Sequence, residues 1–258
     1  MYGNTPAHQR AWRHWFEAFS TICGTEFALS FGHGQNDDTY RAKDLFMAQT
    51  CGYPLLKKWS PTHYPIATAT FNIAGCEEDR YSSWFVCHKN SAHQHLDQFA
   101  NSTVTVNGSD SNSGCNVLRY AVSQLSNFEP NKPYFKKVTQ SGGHWNSLQL
   151  ISKGEADLAA IDSVSYALAL QHYPELKQTL KIIGQSEFSM GLPFIAPNTL
   201  ALDTTELTEK MNEAVETMDG DSRALLFLKG FVPCKLGDYN SIQEIETAAI
   251  QKGYAELR

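Results

Sequence analysis

Long apolar runs are missing from this chain. No stretch reaches the roughly 18–20 consecutive apolar residues that a membrane-crossing helix needs, so a helical span is excluded. Runs of positive charge are missing too. The densest are the pairs Lys57-Lys58 and Lys136-Lys137, and the formal net charge is −6. A nucleic-acid surface needs a basic stripe, so that partner class is set aside. The six cysteines contain no Cys-x-x-Cys pair and no Cys/His set at zinc-finger spacing. His88, His93 and His95 are close in sequence but fall on a strand end and a short helix, so no metal site is expected. There is no Gly-x-Ser-x-Gly elbow, P-loop or Gly-x-Gly-x-x-Gly, and no internal repeat. No cofactor is expected. The N-terminal residues MYGNTPAHQRAWRHWF carry polar and charged side chains where a secretory leader has an apolar core, so export is not legible in this chain.

What is present fits a folded α/β protein. With 258 residues, 42% of them hydrophobic and 19% charged, the chain can bury one large core or two small ones. Apolar residues at 11, 12, 15, 16 and 19 follow a proline at a plausible first turn and predict a helix over 6–20. Strands are expected at 45–49, 64–71, 81–87, 103–106, 135–139, 158–161 and 180–184, where β-branched or buried runs are bounded by turn residues. Ser91 is expected to cap a short helix. Helices are expected to follow the strands near 117–125, 144–153 and 164–170, and again at 207–218. Alternating strand and helix implies parallel sheets with helices on their faces. In such sheets ligands bind beyond the C-terminal strand ends.

Three strand-to-helix loops carry small polar residues. Ser109 to Gly114 offers the hydroxyls of Ser111 and Ser113 beside the unpaired amides of a helix start, which together can hold a tetrahedral anion without Lys or Arg. Plain helix capping accounts for the same residues. Ser141-Gly142-Gly143-His144 lets backbone approach a ligand and places an imidazole at a helix start; a surface turn with a capping histidine is the simpler reading. Asp162 at a strand end can accept a ligand proton, pair with His144, or cap the next helix. Tyr53 and Tyr81 can each donate one hydrogen bond and wall a pocket, or serve as packing.

In order and spacing, these segments resemble the PhnD-like phosphate/phosphite/phosphonate solute-binding proteins of ABC transporters. The stretches that carry the resemblance are Gln49 to Pro54, Gly75-Cys76, Tyr81 to Ser83, Val106 to Gly114, Ser141 to His144, Gly154 to Asp162 and Gly191 to Pro193. The resemblance implies a type 2 periplasmic-binding-protein fold: two α/β lobes, each a mostly parallel sheet flanked by helices, joined by two crossover strands near 76–81 and 184–191. Lobe one would be 1–80 plus 187–258, and lobe two the inserted 81–186, with ligand in the cleft between. It implies that Ser111, Asn112, Ser113 and Gly114 grip the phosphorus oxygens with Ser141 and His144. Asp162 would sense the rest of the ligand, and Tyr53 and Tyr81 would act as aromatic gates. It makes Cys51 and Cys76 the pair to consider first for a disulfide. A monomeric, non-enzymatic binder of a small oxyanion is expected, presented to an ABC permease, with a periplasmic location. Other readings are a binder of pyrimidine or sulfonate compounds, a sensor outside transport, a cytoplasmic module with no permease, and a cofactor-free hydrolase using serine, His144 and Asp162.

Overall fold

A computed structural model describes residues 2–32 and 37–258. The chain divides into two compact units, Met1–Arg80 with Met190–Tyr239, and Tyr81–Ser189 with Asn240–Arg258.

The first unit is organised by its opening helix, Pro6–Cys23. Thr5 caps it by accepting from the His8 amide at 3.1 Å, and Pro6 supplies a fixed φ where no amide donor is needed. Gly24, at φ 63°, ends the helix in the left-handed conformation. Ala11, Trp12, Trp15 and Phe19 share the buried face at helical spacing. The Trp15 ring stacks on Phe19 at 5.2 Å and packs against Phe231 at 5.0 Å. Its indole N–H donates to the Met211 carbonyl at 3.1 Å, so the buried polar atom is satisfied. The sheet beneath runs in the order Ala48–Gln49, Pro193–Pro197, His63–Phe71, Leu228–Pro233.

The second unit holds a five-stranded sheet in the order Lys137–Gln140, Thr103–Val106, Leu158–Asp162, Ser83–His88, Leu180–Gln185. Both faces are buried. Phe85, Cys87, Leu158 and Ala160 belong to one apolar cluster, while Val86, Ala159 and Ile161 belong to another with Leu148 and Ile151. That is the period-two alternation of a strand covered on both sides.

The fold is α/β, with two corrections. The sheets are mixed rather than mostly parallel: every described pairing in the first unit is antiparallel, and in the second only those of Thr103–Val106 are parallel. The reason is the path of the chain. It leaves the first unit after His63–Phe71 and returns in Pro193–Pro197, and enters the second by Ser83–His88 and leaves by Leu180–Gln185, so each out-and-back pair runs antiparallel.

The second correction concerns the C-terminus, which the resemblance assigns to lobe one. Residues 240–258 pack on the second unit instead. Tyr254 is fully buried there against Phe128, at 4.9 Å, and the Tyr134 amide donates to the Arg258 carbonyl at 2.7 Å. Smaller differences are local. Strand starts at 45 and 135 move to Ala48 and Lys137, and the short helix is Leu96–Phe99 capped by His95, with Ser91 accepting from the His93 amide in a preceding turn. Among the described residues, no helix is long and apolar enough to cross a membrane.

Candidate functional site

The site is built where Thr103–Val106 runs into a helix. That helix opens with a five-residue π turn, Asn112–Asn116, and continues as Val117–Ser123. Ser111 is its N-cap, accepting from the Gly114 amide at 3.0 Å. The π opening is a known signature of helices distorted for function. Here it also reflects crowding: a Cβ at Gly114 would fall 1.8 Å from Asn107 Oδ1, so glycine lets the turn lie against the Asn107 side chain just past the strand. Ser111, Asn112, Ser113, Gly114, Cys115 and Asn116 are all buried.

Three polar side chains line up on this turn. Ser111 Oγ lies 3.4 Å from Ser113 Oγ, and Ser113 Oγ lies 2.8 Å from His144 Nε2. His144 opens the helix His144–Ser152 after Ser141-Gly142-Gly143. Burial pushes its imidazole from the usual 6.5 down to about 4, with hydrogen bonding to the Ala160 backbone opposing the shift. At neutral pH the ring is therefore uncharged, and the cluster offers hydroxyls, amides and an imidazole but no full positive charge.

Ser141 is tied into its own turn. Its hydroxyl lies 2.7 Å from Ser147 Oγ and 2.9 Å from the Gly143 carbonyl, so it shapes the approach to His144. Asp162 caps the helix Ser163–His172, its Oδ1 accepting from the Ser165 amide at 2.8 Å. Tyr81 is buried, and its hydroxyl oxygen accepts from Asn112 Nδ2 at 3.2 Å. Tyr53 belongs to the first unit, where the Lys57 ammonium sits 5.5 Å above its ring. Cys51 is a buried thiol and Cys76 a half-buried one; neither is a half-cystine in the structure. Trp145 packs against His172 at 5.6 Å and donates to the Ser165 carbonyl.

The structure thus gathers Tyr81, Ser111, Asn112, Ser113, Gly114 and His144 within the second unit. It also adds residues that sequence reasoning passed over. Asn116 donates to Asn112 Oδ1 and to the Ile242 carbonyl, each at 3.0 Å. Arg119, nearly buried, donates to Asn116 Oδ1 at 2.6 Å and to the Ala255 carbonyl at 2.7 Å, with Glu246 3.7 Å away. The sequence signal for these three residues is their spacing, 112, 116 and 119, which helical periodicity stacks on one face.

The profile of the family described as ABC transporter, phosphonate, periplasmic substrate-binding protein matches residues 4–239. The chain belongs to this family. No curated protein matches the sequence at a significant level. Among solved structures, this phosphonate-family protein is similar to a binding component of an ABC phosphonate transporter from Pseudomonas aeruginosa (19% identity, TM-score 0.74, 95% of this chain and 82% of that one). It is similar to PhnD1 of Prochlorococcus marinus, solved with methylphosphonate (18% identity, TM-score 0.69, 95% and 94%). It is also similar to the aliphatic sulphonate binding protein SsuA of Escherichia coli (11% identity, TM-score 0.66, 95% and 84%). At these identities the structural likenesses establish the type 2 periplasmic-binding-protein fold, and the family profile establishes a transporter substrate-binding protein.

Proposed function

We propose that this phosphonate-family protein captures a small phosphorus oxyanion, a phosphonate, phosphite or phosphate, for delivery to an ABC permease. The observation that carries this reading is the line Ser111 Oγ, Ser113 Oγ and His144 Nε2, at 3.4 and 2.8 Å, beside the opening amides of a helix. Tetrahedral anions suit such a site because several oriented donors share their charge. Neutral donors make geometry and proton count, rather than net charge, the basis of selection. An acidic protein of net charge −6 can then still bind an anion. The family supports transport rather than turnover.

The test is a thermal-shift and calorimetric screen of methylphosphonate, aminoethylphosphonate, phosphite, phosphate, sulfate, methanesulfonate and uracil. A ligand at 100 times its Kd that binds only the native state adds about 2.7 kcal/mol of stability, a readily seen rise in Tm. Stabilisation by a phosphorus oxyanion, abolished in the Ser111→Ala/His144→Ala double variant, supports the reading. Stabilisation by uracil or sulfonate alone, or unchanged phosphonate binding in the double variant, overturns it.

A further inference from the structure

The helix that carries His144 begins without a side-chain cap, because Gly143 stands at its N-cap. The contact between the Ser141 and Ser147 hydroxyls, at 2.7 Å, holds the turn that leads into it. The roll of the helix about its own axis is held by its second residue. The Trp145 indole N–H, which can only donate, reaches the Ser165 carbonyl at 3.1 Å, in the first turn of the helix Ser163–His172. The indole ring lies at the other end of that helix, stacked on His172 at 5.6 Å with 22° between the planes, and edge-on to Tyr173 at 5.6 Å. Trp145 is thus held lengthwise along its neighbour, over about two turns. Consecutive side chains on a helix diverge by about 100°. With Trp145 fixed on Ser163–His172, His144 is turned off that helix, and the side chain it meets is Ser113, at 2.8 Å.

We propose that Trp145 is a positioning residue for His144: lying along the helix Ser163–His172, it sets the roll of the helix His144–Ser152 and so keeps the imidazole on Ser113. Its effect on ligand binding rests on the oxyanion reading above, and Trp145 touches no ligand in this scheme. The point it is fastened to is itself held. Asp162 Oδ1 accepts from the Ser165 amide at 2.8 Å, so Ser165 is gripped at its N–H by the cap and at its carbonyl by the indole. Without the indole the helix start is free to roll, the imidazole drifts from Ser113, and an anion must order the pair as it binds, which weakens affinity.

The experiment uses the full chain with Trp145→Phe, Trp145→Leu, His144→Gln and the Trp145→Leu/His144→Gln double variant. The first readout needs no ligand. The nitrogen-15 resonance of His144 Nε2 at neutral pH is assigned by its loss in His144→Gln. It moves in Trp145→Phe, which keeps a ring on His172 but has no N–H, and moves further in Trp145→Leu. The second readout is calorimetric binding of methylphosphonate. Trp145→Phe weakens it about 5-fold, the worth of one neutral hydrogen bond, and Trp145→Leu weakens it more. The double variant is no weaker than His144→Gln alone, because Trp145 acts only through that ring. Losses that add in the double variant give Trp145 a role of its own and overturn the proposal, as does an unmoved His144 resonance in a folded Trp145→Leu. Should Trp145→Leu fail to fold, Trp145→Phe takes its place in each comparison. If the wild type binds no phosphorus oxyanion, the functional reading fails, and the resonance still decides the role of Trp145.

Discussion

Ser113 Oγ and His144 Nε2 stand 2.8 Å apart, joined across 31 positions of sequence by a hydrogen bond in which a neutral imidazole and a hydroxyl share a proton. Both can donate to an anion with no change of charge, because a neutral ring with its proton on Nε2 and a serine hydroxyl each carry one donor hydrogen.

Binding of a phosphorus oxyanion at pH 9 is therefore expected to leave His144 neutral and to take up no proton. Calorimetry in two buffers of different ionisation enthalpy reads this directly, the observed enthalpy being the same in both. An enthalpy that depends on the buffer, and loses that dependence in His144→Gln, contradicts the arrangement.

The same histidine shapes stability against pH. Its folded pKa of about 4 lies below the ordinary 6.5, so below pH 6.5 the unfolded chain binds the proton more readily. The stability it contributes is complete above pH 6.5 and is lost as pH falls toward 4, by up to about 3 kcal/mol. Urea denaturation at pH 7 and pH 4.5 should show a smaller loss for His144→Gln than for the wild type.

Gly114→Ala places a methyl group 1.8 Å from Asn107 Oδ1 and 2.9 Å from its Cγ. The Asn107 side chain or the π turn must shift, at a cost of about 1–3 kcal/mol, and oxyanion affinity falls with it. Gly154→Ala serves as the contrast. It strains a helix end at φ 72° by about 1 kcal/mol but leaves binding intact. Chemical denaturation and calorimetry separate the two.

Asp162 caps a helix through one oxygen. Asp162→Ala should cost about 1 kcal/mol, whereas Asp162→Asn keeps an accepting oxygen and costs little. A binding loss in Asp162→Asn without a stability loss marks a contact with the ligand; retained binding restricts this residue to capping.

All six cysteines are thiols in the structure. Six should react with a thiol reagent in denaturant without reductant. In the native protein the half-buried Cys23 and Cys76 react first, and Cys234, held near pKa 12 by burial and packed against the Tyr239 hydroxyl at 3.4 Å, reacts last. A count of four in denaturant reveals a disulfide, with Cys51–Cys76 the pair to examine.

Much of this was legible in the sequence where a local rule decides the outcome. Pro6, the cap at Asp162, the left-handed Gly154 and the β-branched run at 103–106 each act within a few residues, and the elements lie close to where they were expected. The serine loop and His144 were legible as chemistry, and their meeting followed from the resemblance rather than from spacing. What was not legible depends on distant partners. The apolar face of the helix Asn240–Gln251 announces that it packs but not on what, so its place beside Val117–Ser123 was missed. In the sequence Asn112 reads as one more group gripping the ligand. Its task, bridging Tyr81 and Asn116, needs two partners 31 residues behind and four ahead. Strand direction was misjudged because alternation of elements says nothing about when a chain departs and comes back.

The tail beyond Tyr239 supplies the acceptors for Asn116 and Arg119, at Ile242 and Ala255. A protease cut or premature stop there would strip two inner donors of their counterparts and loosen the anion cradle, although no residue of the serine line had been removed. The second unit is in this sense a composite of two stretches of chain, and any attempt to produce it alone has to stitch 240–258 back onto 81–189.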